Sequence, residues 1–107
     1  MRGRRGLERV AVDGVLHIGG ADDYVTITLT TGRQLLHDEG IAQLERQLPS
    51  GFLRVHRSHI VRRDAVRRIL DGPGGTRIIE LRSGSCVPVS RRRVTAVLQA
   101  LLGEAKS

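Results

Sequence analysis

Two short segments hold the residues best suited to gripping an anion: Arg54-Val55-His56-Arg57-Ser58 and Ser90-Arg91-Arg92-Arg93. Each follows an apolar run of strand character, Gly51-Phe52-Leu53 in one case and Cys86-Val87-Pro88-Val89 in the other. A guanidinium presents a planar fork of donors that matches phosphate oxygens and the O6/N7 edge of guanine. Like charges repel, so a fold gains nothing internally from gathering them. An outside partner with a dense array of anions explains the clustering, and nucleic acid is the foremost such partner. GC-rich codons alone would favour arginine, and Lys106 is indeed the only lysine, but codon bias does not explain why the arginines cluster.

The rest of the composition names no competitor. At 107 residues with 39% hydrophobic residues, the chain predicts one domain with a real core, and 18 Lys and Arg against 11 Asp and Glu give a formal charge of +7. Cys86 is alone, so an intramolecular disulfide is excluded and a reducing compartment fits. Met1-Arg2-Gly3-Arg4-Arg5 has the charge of a signal-peptide start, but no apolar run follows it. A cytoplasmic protein, nucleoid-associated when bound and without a membrane partner, is expected. Tyr24 and Phe52 are the only aromatic residues, which disfavours single-strand binding through stacked bases and leaves duplex binding untouched. His56 and His59 have a spacing that suits a metal, but no second cluster completes a site. Asp22 and Asp23 have no accompanying nucleophile or phosphate-binding loop, so a turn role outweighs acid–base work. The chain is read as a non-enzyme without cofactor or metal, with Cys86 an inert strand residue.

The elements that must position these residues are mostly strands. Residues 1–6 read as a disordered basic arm. Leu7 to Val12 is a first strand, Asp13-Gly14 a hairpin turn and Val15 to Ile18 a second strand. Tyr24 to Thr30 alternates, with Val25, Ile27 and Leu29 on one face and threonines on the other. Thr31-Gly32 turns it back into Arg33 to Leu36. Asp38 is placed to cap a helix with Ile41, Leu44 and Leu48 on one side, ended by Pro49-Ser50-Gly51. Phe52 to Val55 is a strand, His56 to Arg63 a loop or short helical turn, and Ala65 to Leu70 another strand. Asp71 to Gly75 is a turn, and Thr76 to Leu81 with Ser85 to Val89 form a hairpin about Ser83-Gly84. Ser90 caps a last helix that buries Val94, Val97, Leu98, Leu101 and Leu102, with Gly103 closing it and 103–107 as a tail.

The order Ala21-Asp22-Asp23-Tyr24-Val25, Leu44-Glu45-Arg46-Gln47-Leu48-Pro49, Phe52-Leu53-Arg54-Val55-His56-Arg57-Ser58-His59-Ile60-Val61, Ile79-Glu80-Leu81-Arg82-Ser83-Gly84 and Val87-Pro88-Val89-Ser90-Arg91-Arg92 resembles the LytTR DNA-binding domain, found mostly as the output domain of bacterial response regulators. The resemblance covers residues 7–102. It implies an elongated, mostly antiparallel β fold of small sheets, with one mid-chain helix and one C-terminal helix. It also implies that loops, rather than a recognition helix, enter successive major grooves of double-stranded DNA. Carried over by position, the base contacts are Asp23 and Tyr24 at the first loop, Arg57 at the second and Arg91 at the third. The phosphate contacts are His56, Ser58 and Arg62, then Ser90, Arg92 and Arg93. The chain departs from the usual pattern at His59, where tyrosine is common, at Arg62, where asparagine is common, and at Val94, where many members have an aromatic residue.

Two function classes follow. The first is a sequence-specific, duplex-binding bacterial transcription regulator of the two-component type, acting on promoter repeats, with two protomers meeting on DNA. The second is a small basic RNA-binding β domain without an operator, using the same cations on A-form backbone. No receiver domain fits within 107 residues, so the chain is a stand-alone regulator or one domain of a longer protein with a receiver or sensor partner; Met1 favours the first.

Overall fold

The computed structural model describes residues 14–20 and 24–106. The expected basic arm, the first strand, Asp13 and the loop 21–23, Asp23 included, lie outside the described residues. The chain order is β1 (Val15–Gly20), β2 (Val25–Leu29), β3 (Gln34–His37), α1 (Ile41–Gln47), β4 (Phe52–His56), β5 (His59–Arg62), β6 (Val66–Asp71), β7 (Arg77–Leu81), β8 (Cys86–Val89) and α2 (Val94–Lys106). The mostly β class, two helices and small antiparallel sheets agree with expectation. The described molecule is elongated, 41 × 29 × 24 Å.

The strands form a five-stranded sheet of order β3-β2-β1-β5-β4 and a three-stranded sheet of order β6-β7-β8. The larger sheet lies between two cores. On one side, Val15, Ile18, Val25 and Ile60 enclose Leu44 of α1, and Ile41, Leu48 and Phe52 pack around them. On the other, Leu16, Val55 and Val61 meet Ile79, Leu81, Val87 and Val89 of the smaller sheet and Val97 of α2. Burial of apolar area on both sides drives the assembly, at about 25 cal/mol per Å² removed from water.

This double burial explains the main departure from the sequence reading. Residues 59–62, read as part of a loop, are the strand β5, paired antiparallel to both β1 and β4. Ile60 is 1% exposed and Val61 0%, yet they belong to different cores. A strand covered on both faces shows no apolar–polar alternation, so the period-2 signal vanishes.

Smaller corrections concern ends. The N-cap of α1 is Gly40, without a side-chain cap, and not Asp38. Ala65 is buried in a short 3-10 turn, Arg63–Ala65, and β6 starts one residue later than read. Ser90 does occupy an N-cap position, but of a 3-10 turn, Arg91–Arg93, and its hydroxyl makes no cap bond. Leu102 is 59% exposed, so the apolar stripe of α2 ends at Leu101. Gly103 does not close that helix, which runs on to Lys106. A glycine inside a helix costs only about 1 kcal/mol, and good helix formers follow this one.

Candidate nucleic-acid interface

Arg57 and Ser58 form the two-residue turn of the β4–β5 hairpin, with His56 paired to His59 below it. Such turns favour positive φ, and neither residue has it. Bonds from neighbouring groups hold this turn instead. Arg54 donates from Nη2 to the Arg57 carbonyl at 2.7 Å and from Nε to the His56 carbonyl at 3.2 Å. The Ser58 backbone N–H donates to His56 Nδ1 at 3.0 Å, so a neutral His56 carries its proton on Nε2. The Gly20 N–H donates to the Ser58 carbonyl at 2.6 Å, joining the end of β1 to the turn. Arg57 is exposed, and its guanidinium has no hydrogen bond or ion pair among the described residues.

The second basic segment lies against the first. The Ser90 N–H donates to the Val55 carbonyl at 2.9 Å, which fastens the start of the Arg91–Arg93 turn to β4 beside the hairpin tip. Arg91 Nη2 donates to the Gly74 carbonyl at 2.8 Å, across to the β6–β7 turn. Gly74 adopts φ 65° there. Arg92 is exposed and Arg93 half-buried, and neither side chain has a hydrogen bond or ion pair among the described residues.

Tyr24 is 45% exposed and directly precedes β2. Val25 pairs with Gly20, the residue that holds Ser58, so Tyr24 stands at the same end of the sheet as the hairpin turn. Tyr24, His56, Arg57, Ser58, Ser90, Arg91, Arg92 and Arg93 are thus gathered at one end.

Arg62 is not gathered there. It pairs with Phe52 at the far end of the hairpin. Its Nε donates to the Val15 carbonyl at 2.8 Å, and its guanidinium lies 4.9 Å from the centre of the Phe52 ring. It joins β1 to the hairpin and packs on Phe52 rather than standing at the tip.

Three imidazoles lie under the tip. His17 Nε2 and His59 Nδ1 are 3.1 Å apart, with the rings stacked, and His56 meets His59 edge-on. Burial, followed by the neighbouring His17 and His56, pushes the His59 pKa down to about 4, and burial lowers that of His17. No group of three or more His, Cys, Asp or Glu among the described residues is arranged to hold a metal. Among them, too, no helix is long and apolar enough to cross a membrane.

The supporting residues were missed in the sequence. Arg54 counts there as one more cation of its segment, and nothing local says that its guanidinium turns back on its own hairpin. Gly20 and Gly74 act through backbone carbonyl and amide groups, which have no signature in residue type.

The model of the LytTr DNA-binding domain matches residues 5–102. The chain belongs to this family. As a LytTr domain it is 33% identical over 98 residues to the positive alginate biosynthesis regulatory protein of Pseudomonas aeruginosa, covering 90% of this chain and 39% of that protein. It is 34% identical over 90 residues to the CO-responsive transcriptional regulator RcoM of Rhodospirillum rubrum, covering 82% of this chain and 38% of that protein. The sensory transduction protein LytT of Bacillus anthracis is 32% identical over 83 residues, 77% of this chain and 33% of that protein. The chain therefore spans well under half the length of these relatives. The fold agrees with the LytTr DNA-binding domain of a methyl-accepting/DNA response regulator from Bacillus cereus, with a TM-score of 0.79 at 24% identity over 95% of this chain and 93% of that one. The family supports DNA binding in transcription regulation.

Proposed function

We propose that this LytTr domain binds double-stranded DNA sequence-specifically, with its loops in the major groove, as the output module of a bacterial transcription regulator. One observation carries the reading. Two basic segments distant in sequence are bonded together through Ser90 N–H and the Val55 carbonyl, and the Gly20–Ser58 bond brings the Tyr24 loop to the same end. A fold that fastens two basic segments together at one end presents them to a polyanion.

In this reading Arg57 and Arg91 read guanine edges, and Tyr24, with Asp23, supplies a further base contact. His56, Ser58, Ser90, Arg92 and Arg93 take phosphates and set the register. The bond to Gly74 uses one donor of Arg91 and orders the side chain before DNA arrives, leaving its other donors for a base. Arg62 is assigned to support of the hairpin instead of phosphate. Two protomers occupy paired promoter repeats, and a receiver or sensor partner supplies the signal.

The test is a set of four alanine variants titrated against an operator and a scrambled duplex. Arg57→Ala and Arg91→Ala are expected to narrow the gap between the duplexes by about 1–3 kcal/mol each. Arg92→Ala and Arg93→Ala are expected to weaken both duplexes alike and to flatten the salt slope by about 1 each. Four identical responses would contradict the division into readers and anchors.

A further inference from the structure

The guanidinium of Arg54 is divided among three acceptors. Nε and Nη2 bind the carbonyls of His56 and Arg57, and Nη1 binds Glu45 Oε1 at 2.7 Å. The Arg54 side chain is only 13% exposed, and that of Glu45 44%. Glu45 stands near the end of α1, whose Leu44 is buried against the larger sheet. Through Glu45, α1 reaches the basic hairpin.

We propose that the Glu45–Arg54 pair is a positioning device for DNA reading: it fixes the backbone from which Arg57 projects and ties that backbone to α1. The proposal rests on Arg57 being a base reader. The argument is one of constraint. The Arg57-Ser58 turn lacks the positive φ that makes two-residue hairpin turns self-sufficient. Pairing between β4 and β5 also shifts register between Arg54 and His56, which loosens the ladder just before the turn. Arg54 supplies two donors, in one rigid plane, to the carbonyls of His56 and Arg57. Glu45 fixes the rotation of that plane. A reader must be held within a fraction of an ångström to make a bidentate contact, so a loose turn loses base discrimination before it loses electrostatic attraction.

Glu45→Gln separates positioning from charge by the sign of its effect. Removing a carboxylate from a DNA-binding protein raises affinity for any duplex if charge alone matters. A weakened positioning bond instead lowers affinity for the selected duplex, by roughly fivefold to tenfold, with scrambled duplex held or slightly strengthened. Arg54→Lys keeps the charge but cannot reach three acceptors in one plane, and it is expected to lower the specificity ratio with an unchanged salt slope. Both effects are expected to disappear in an Arg57→Ala background, because the reader they position is gone. Thermal melting of each variant confirms that the fold is kept. Equal strengthening of both duplexes by Glu45→Gln, or a full effect in the Arg57→Ala background, overturns the positioning role. An Arg57→Ala variant with undiminished specificity instead removes Arg57 as a base reader, a separate failure of the reading beneath it.

Discussion

His59 is held between two other imidazoles, stacked on His17 and met edge-on by His56, with ring centres 5.2 Å away in both cases. Burial and these neighbours push its pKa down to about 4, and His17 is lowered by burial. In the unfolded chain a histidine titrates near 6.5, so above about pH 6.5 both states are neutral and the contribution to stability is complete. As pH falls from there towards about 4, the unfolded chain takes up protons that the folded one refuses, and stability drops. The melting temperature is therefore expected to decline between about pH 7 and about pH 4.5. It should decline less in a His59→Tyr variant, whose ring does not titrate in that range. Parallel decline in both proteins would show that His59 contributes nothing to acid sensitivity.

At the scale of elements, the β6–β7 turn is the support of Arg91. Gly74 has φ 65°, and a Cβ there would stand 3.3 Å from Arg91 Nη2. Gly74→Ala is expected to cost about 1–2 kcal/mol of stability through left-handed backbone strain. It should also weaken specific DNA binding by displacing Arg91. Gly84, at φ 97° in the β7–β8 turn, has open space about it and is the control. Gly84→Ala should cost comparable stability and leave DNA affinity unchanged, and a loss of binding with Gly84→Ala would show that strain, not the displacement of Arg91, is being measured. The elements themselves were unevenly legible in the sequence. The alternation from Val25 to Leu29 and the hairpin about Gly84 were plain, because Val25, Ile27 and Leu29 serve one core and Ile79, Leu81, Val87 and Val89 the other. β5 was hidden by Ile60 and Val61, adjacent residues that face different cores. The end of α2 was hidden because glycine signals a C-cap without requiring one. In the candidate site, residue type revealed the cations that face outward but not the Arg54 guanidinium that turns inward.

At the scale of the whole molecule, a five-stranded sheet is packed between α1 and the smaller sheet with α2, and one end of this body carries the basic loops. The formal charge of +7 supplies long-range attraction to a polyanion, and in the proposed reading the geometry of that end decides which duplex is kept. Binding is expected to weaken steeply with salt, at a slope of about −0.9 per phosphate neutralised. The most direct test of sequence-specific DNA recognition is selection of bound sequences from a random duplex library at near-physiological salt. The winner is then titrated beside a scrambled duplex. A repeated motif bound at least about a hundredfold more tightly than the scrambled duplex is the predicted result. Equal, salt-sensitive binding to every duplex would contradict it, and would leave the gathered arginines as an electrostatic surface without a code.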